Sequence, residues 1–267
     1  MTTAAPDKKK LRPPLKWAGG KRWLVERLRP LWISHRKRRL VEPLCGGLAI
    51  TLGLIPDKAL LNDNNPHLIN FFSWVSEGLI IDLPMRNDKD LYYNYRERFN
   101  RLVDEGRAET REAAMLFYYL NRTGYNGLCR FNKKGVFNVP FGSYKKINYL
   151  CDFTGYKEQF AKWQFSCGDF EDLTLDTEDF IYADPPYDVD FTHYTAGGFS
   201  WPDQVRLAHW LVAHPGPVLL SSQATERIIK LYSSLNFELE YLDAPRLISC
   251  SGDRSSAREI LAFRGLY

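Results

Sequence analysis

The amino-acid sequence predicts an α/β fold: a Rossmann-like mixed sheet of about seven strands with flanking helices and an antiparallel edge pair, plus an inserted, mostly helical segment. Three observations predict it. Short apolar runs of strand character alternate with stretches of helical apolar spacing at both ends of the chain. The run FELEYLD sets Phe237, Leu239 and Tyr241 against Glu238 and Glu240, the alternation of an edge strand buried on one side. Between about residue 64 and residue 150 the alternation stops, giving way to consecutive helical patterns and then a long Gly-, Asn- and Lys-rich stretch.

In chain order, RWLVERLRPLW has helical spacing, and RLVEP and KALLND read as the first two strands. PHLINFFSWVSEGLI, LYYNYRERFNRLV and REAAMLFYYLNR each carry an apolar stripe and a polar face, as helices do. WQFSC and DFIYAD resume the strands, followed by the helix WPDQVRLAHWLVAH, the strand GPVLLSS and the helix ERIIKLYSSL. FELEYLD and REILAF then close the sheet as an antiparallel pair. This order assigns residues 1–63 and 151–267 to the sheet-bearing domain and 64–150 to an insertion.

The 267 residues suffice for one large domain carrying an insertion. No apolar stretch approaches the roughly 20 residues that span a bilayer, and the first 14 residues lack the apolar core of a signal peptide. A soluble cytoplasmic protein with no membrane partner is expected. The five cysteines, Cys45, Cys129, Cys151, Cys167 and Cys250, form no CxxC pair, so neither a disulfide framework nor a zinc site is expected. AGGK ends at Lys21 without the spacing of a phosphate-binding loop, which argues against an ATPase of that type.

The net charge of +4 conceals an asymmetry. Residues 1–40 hold 13 Lys and Arg against Asp7 and Glu26, and residues 121–150 hold six basic residues and no acidic one. Residues 41–120 and 151–267 are net acidic, by 4 and 9 charges. Basic residues interleaved with amides and rings, as in NRTGYNGLCRFNKKGVFNVPFGSYKK, suit a polyanion: cations neutralise phosphates while amides and rings address bases. A solvated basic loop would have the same composition, so the chemistry of other segments must decide.

The sharpest local signal is Asp184-Pro185-Pro186-Tyr187, directly after the strand DFIYA, where ligands of open α/β sheets bind. Two prolines remove backbone donors and stiffen the loop, leaving a carboxylate, free carbonyls and a ring in one arc. Those groups match the methylation of an exocyclic amine on a nucleobase, whose nitrogen lone pair is delocalised into the ring. Asp184 and the Pro185 carbonyl can accept from the NH₂ and localise that lone pair, while Tyr187 stacks on a base first flipped from its duplex. Adenine N6 and cytosine N4 both satisfy this chemistry.

A second constellation joins LKWAGGK (15–21), VEPLCGG (41–47) and LNDNN (61–65). Strand, glycine turn, helix and then an acidic residue ending the next strand is a layout for a nucleoside. Asp63 would accept from ribose hydroxyls, Gly46 and Gly47 would let the backbone approach the ligand, and Glu42 or Asp184 would attract a cationic sulfonium.

With these segments in this order, the chain resembles the Dam-type DNA adenine-N6 methyltransferases, the amino-methyltransferase group whose cofactor segment precedes DPPY. The resemblance covers nearly the whole chain, and GYNGLCR followed by FNVPFG is its most specific part. It implies S-adenosyl-L-methionine, converted to S-adenosyl-L-homocysteine, contacted by Trp17, Ala18, Gly19, Lys21, Pro43, Leu44, Asp63 and Asp184, with Asp169 and Phe170 beside its adenine. It implies a catalytic tetrapeptide at Asp184, Pro185, Pro186 and Tyr187. In a target-recognition insertion, 64–150, it implies that Tyr125 enters the base stack, with Leu128, Arg130 and Pro140 on base edges and Asn126 among the DNA-recognition residues. Lys16 and Tyr144 would read the outer base pair, and Asn132 and Asn138 would contact the backbone or fix the loop. The implied partner is double-stranded DNA, probed at GATC, with no required metal and a monomer in solution. The implied setting is a bacterial cytoplasm, nucleoid-associated or virus-encoded. The chain departs from the family in its adjacent Gly46-Gly47 and in the segment after Tyr187, DVDFTHYTAGGF, where Asp188 and Asp190 add negative charge.

Two readings of other classes compete. A metal-dependent nuclease would use Asp176, Asp179, Asp184, Asp188 and Asp190 as converging ligands. A catalytically silent DNA-binding module would have no use for an intact DPPY.

Overall fold

The computed structural model describes residues 11–188, 198–244 and 257–266. The loop after Tyr187 from 189 to 197, which includes Asp190, and Cys250 lie outside the described residues. A short 3₁₀ turn leads into α1 (Val25–Ile33), followed by β1 (Leu40–Glu42), α2 (Thr51–Leu54), β2 (Ala59–Asp63) and α3 (Pro66–Ser76). Next come α4 (Lys89–Asp104), α5 (Arg111–Thr123), α6 (Thr154–Phe160), β3 (Trp163–Cys167) and β4 (Phe180–Ala183). The chain ends with α7 (Trp201–Ala213), β5 (Val218–Gln223), α8 (Glu226–Ser234), β6 (Glu238–Ala244) and β7 (Ala257–Arg264).

The seven strands form one sheet in the order β3-β2-β1-β4-β5-β7-β6. All neighbours are parallel except β7, which runs antiparallel to both β5 and β6. This is the mixed sheet with an antiparallel edge pair that the strand pattern predicts. Strand order reverses between β1 and β4, whose pairing starts at Leu40↔Phe180. Their carboxyl ends, Glu42 and Ala183, therefore open onto one crevice, the place where such sheets bind ligands.

Alternate strand residues feed two cores. Leu40, Leu61, Phe180 and Tyr182 join α1, α3 and α5 on one face, while Val41, Leu60, Ile181 and Ala183 join α7 and α8 on the other. Burial on both faces explains why these strands read as continuous apolar runs. Asn65, with its side chain accepting from His67 and Leu68, and Pro66 start α3. Thr110 caps α5 and Thr225 caps α8 in the same way. Within 64–150, α3 covers β2 and β3, and α4 and α5 pack onto it in one continuous apolar cluster.

Two helices lie outside the sequence expectation: α2 has four residues, and α6 has seven with Tyr156 and Phe160 one turn apart facing inward. Both are too short to establish a helical period. Tyr241, expected on the buried side of β6, is 44% exposed beneath the Arg258 guanidinium. Within β6 only Ala244, at its far end, is buried, and just before the strand Phe237 meets Tyr232 of α8 edge-on. Among the described residues no helix is long and apolar enough to cross a membrane.

Candidate active site

β4 is buried along its whole length and delivers Asp184 to the crevice. One Asp184 oxygen, Oδ1, accepts from Lys21 Nζ at 2.9 Å and from Ser221 Oγ on β5 at 3.0 Å. Ser221 is in turn bonded to the Tyr182 hydroxyl at 2.7 Å. No described residue donates to Oδ2, and the side chain is 23% exposed. Burial lifts the Asp184 carboxyl above its ordinary range, while Lys21 and Ser221 pull the other way. The Gln204 side chain on α7 donates to the Pro186 carbonyl at 2.7 Å, whereas no described residue donates to that of Pro185. Asp184 Oδ2 and the Pro185 carbonyl thus have no donor among the described residues, and the Tyr187 ring follows in the same turn.

The Lys21 side chain is only 3% exposed. Its ammonium lies 3.2 Å from the Tyr187 hydroxyl, 3.4 Å from the Gly19 carbonyl and 3.9 Å from Glu259 Oε2. Burial lowers its pKa, but Asp184, Tyr187 and Glu259 more than offset this, so Lys21 stays charged. The Tyr187 hydroxyl donates to Glu259 Oε1, and burial pushes its pKa up to about 12. Glu259, on β7, is absent from the sequence-based site. Its signal was a lone carboxylate inside the apolar run REILAF, whose neighbours Ile260, Leu261 and Ala262 are fully buried.

On the neighbouring strands, the Asp63 carboxylate accepts from the Gly46 amide and the Asn65 amide, both at 3.0 Å, tying the glycine turn to the end of β2. Burial raises its pKa against these two bonds. The glycine pair lies against Trp17: a Cβ on Gly46 would stand 2.7 Å from Trp17 Nε1, and one on Gly47 2.7 Å from Trp17 Cβ. Glu42 is placed differently from its expected attraction for a sulfonium. It is 3% exposed, accepts from the amide and hydroxyl of Thr51 at the start of α2, and is pushed by burial up to about 8. Asp184 is the carboxylate that reaches the crevice.

Asn62 donates to the carbonyls of Pro43 and Gly168, binding the turns after β1 and β3 together, and its Oδ1 is buried without a partner. Asp169 caps the turn at Phe170 by accepting from the Glu171 amide and pairs with Arg206 at 2.8 Å. Phe170, expected beside a cofactor adenine, is 3% exposed between Phe199, Trp210 and the Arg206 guanidinium. Trp17 over the glycine turn, the carboxylates of Asp63 and Asp184 and an unpartnered amide oxygen converge at the carboxyl edges of β1, β2 and β4. Acceptors and a ring without a phosphate-binding cation cluster fit a cationic nucleoside rather than a nucleotide.

A second group lies after α5. The Lys16 backbone exchanges two 2.8 Å hydrogen bonds with the Asn121 side chain, which docks the amino-terminal segment on that helix. Lys16 Nζ donates to the Arg122 carbonyl and sits 3.6 Å above the Tyr144 ring. Burial, with Arg122 nearby, lowers its pKa to about 8. The Tyr125 amide donates to the Pro140 carbonyl, leaving the Tyr125 ring 52% exposed beside an exposed Asn126 at φ 50°. Lys16 thus meets Tyr144, and Tyr125 meets Pro140, although the sequence separates them.

Phe131 bridges Phe137 across a tight turn whose Gly135 has φ 76°. Asn132 accepts from the amides of Lys134 and Val136 in that turn, a loop-fixing role. Arg130 donates to the Asn138 side-chain oxygen at 2.8 Å and to its carbonyl at 3.2 Å. Leu128 is half-buried against the core.

The carboxylates of the nuclease reading are dispersed: Asp176 and Asp179 pair with Arg39, Asp188 with Arg227 and Asp184 with Lys21. Among the described residues no three His, Cys, Asp or Glu are grouped to hold a metal. Cys45, Cys129, Cys151 and Cys167 are free thiols.

Residues 17–247 match the family described as D12 class N6 adenine-specific DNA methyltransferase. The chain is 36% identical over 279 residues to the DNA adenine methylase of Vibrio cholerae, covering 95% of this chain and 96% of that one. It is 35% identical over 268 residues to the retron Ec67 DNA adenine methylase of Escherichia coli, covering 94% and 90%. It is 34% identical over 276 residues to the DNA adenine methylase of Escherichia coli strain K12, covering 95% of each.

Proposed function

Since the chain belongs to the D12 class of N6 adenine-specific DNA methyltransferases, we propose that S-adenosyl-L-methionine is its methyl donor, that the acceptor adenine is flipped out of a duplex, and that the sequence read is GATC. The observation that carries this reading is the convergence of the Asp63 turn and the Asp184–Tyr187 turn on one crevice.

Trp17, Asp63 and the backbone of Pro43 and Leu44 line the donor side, and Asp184 adds negative charge toward it. When bound, the sulfonium supplies an activated methyl group and leaves as the neutral thioether S-adenosyl-L-homocysteine. On the acceptor side, the outward oxygen of Asp184 and the Pro185 carbonyl accept the two N–H bonds of the amine and aim its lone pair. Lys21 and Ser221 hold the other carboxylate oxygen and so fix the plane of the acceptor. As the nitrogen gains its fourth bond it must lose a proton. Asp184, whose burial raises its proton affinity, can hold that proton at Oδ2. Tyr187 stacks on the flipped base, offsetting part of the few kcal/mol that unstacking costs.

Residues 64–150 supply the recognition surface in this reading, through Lys16, Tyr144, Tyr125, Asn126, Leu128, Arg130, Asn132, Asn138 and Pro140. A monomer acts in the cytoplasm without a metal. Incubating the protein with methyl-labelled donor and GATC or scrambled duplexes, then hydrolysing the DNA, is the test. Label in N6-methyladenine on GATC alone, undiminished by a chelator, is expected. Label in N4-methylcytosine, equal label on scrambled DNA, or loss of activity on chelation would overturn the corresponding part.

A further inference from the structure

The Glu259 side chain is 3% exposed, followed in β7 by the buried Ile260, Leu261 and Ala262. A carboxylate buried there costs stability unless its partners compensate. The partners are uneven: Oε1 accepts the Tyr187 hydroxyl, while among the described residues Oε2 has no hydrogen bond and only the Lys21 ammonium 3.9 Å away. That same ammonium contacts Asp184 at 2.9 Å. One cation thus stands between two carboxylates, one facing the crevice and one sealed behind the Tyr187 phenol.

We propose that Glu259 is a positioning residue for methyl transfer, anchoring the Tyr187 hydroxyl so that its ring stands beside Asp184 and drawing on Lys21 so that the ammonium does not fully neutralise Asp184. The proposal rests on Asp184–Tyr187 being the catalytic turn. Without Glu259 the phenol loses its acceptor, and Lys21 answers to Asp184 alone, weakening the acceptor that aims the amine. The two actions separate chemically. Glutamine keeps an oxygen for the phenol but removes the charge, whereas alanine removes both.

Steady-state kinetics on duplex DNA with wild type, Glu259→Gln, Glu259→Ala, Tyr187→Phe and the double variant Tyr187→Phe/Glu259→Ala test this, with melting curves for each. Glu259→Gln is expected to lower kcat about tenfold with both KM values within about threefold, and Glu259→Ala to lower kcat further. Tyr187→Phe has no hydroxyl to donate, so adding Glu259→Ala to it should cost at least about threefold less than adding it to wild type. A Glu259→Ala variant with kcat within about twofold of wild type, or effects that multiply independently, would overturn the proposal. If Glu259→Ala melts before assay, Glu259→Gln decides on the charge: a loss of about tenfold in kcat in both the wild-type and the Tyr187→Phe background supports the proposal, and kcat within about twofold of wild type overturns it. Wild-type protein that methylates no duplex would overturn the functional reading itself, whereas active wild type with indifferent Glu259 variants overturns only this role.

Discussion

The proposed catalytic turn at Asp184–Tyr187 and the proposed recognition segment around Arg130 differ in where their polar partners come from. Asp184 and Tyr187 are held by Lys21, Ser221 and Glu259, which are between 37 and 166 residues away in sequence and belong to other parts of the sheet domain. In the recognition segment, Arg130 is held by Asn138 eight residues on, and Asn132 by amides two and four residues on. The first arrangement is buried and braced from several strands, so its geometry precedes substrate. The Arg130 and Asn132 bonds are local and half-exposed, so these side chains can exchange internal bonds for bonds to a duplex at small cost. Catalysis needs the preformed acceptor; recognition needs groups that can change partners.

Removing Asp184 should produce the largest effect and sharpen the contrast. Asp184→Ala is expected to cut turnover by more than about tenfold, at least ~1.4 kcal/mol of barrier, while duplex affinity stays near wild type. Single-turnover rates beside gel-shift titrations check this, and a variant keeping more than about a tenth of turnover would remove the carboxylate from the chemistry.

Arg130→Ala comes next, with a cost of about 1–3 kcal/mol on GATC and relaxed preference at one base pair, because an arginine fork reads guanine O6 and N7 together. Kinetics on GATC and its single-base variants at two salt concentrations measure it. A uniform loss across all duplexes, with the salt slope reduced by about one unit, would demote Arg130 to a phosphate contact.

Lys16 makes the recognition side sensitive to pH. Its folded-state pKa of about 8 lies below the ordinary 10.5, so it loses its proton as pH rises through about 8, earlier than an exposed lysine would. Duplex affinity is expected to fall between pH 7 and 9, and Lys16→Arg, which keeps its charge, should flatten that fall. An identical pH profile in both proteins would show that Lys16 does not bear on binding.

The smallest effect concerns the buried brace at Glu42. Its folded pKa, about 8, lies above the ordinary 4.5, so the folded state binds the extra proton. The stability this contributes is complete below about 4.5 and is lost as pH rises through about 8. The wild-type melting temperature should therefore fall over that window relative to Glu42→Gln, which titrates nothing. Parallel melting curves for the two proteins would contradict the assignment.

Much of this contrast was legible beforehand. The strands announced themselves because both faces are buried, and Asp184-Pro185-Pro186-Tyr187 and Asp63 were visible because a ligand turn must follow a strand. Lys16 beside Tyr144, and Tyr125 beside Pro140, were named together only through the family resemblance, since nothing local in the sequence joins them. Glu259 escaped notice because one acidic residue inside REILAF has no pattern of its own, and a sequence cannot show that Trp17 folds back onto Gly46 and Gly47.

By itself the sequence determined the periodicities, the caps, the basic segments and the chemistry of the turn after β4, all of which depend on residues close together in the chain. Only the tertiary structure decided which groups complete that turn. Lys21 just before α1, Ser221 on the parallel strand β5 and Glu259 on the antiparallel strand β7 reach Asp184 and Tyr187 from remote parts of the chain, and burial there strengthens the charges of Lys21 and Glu259.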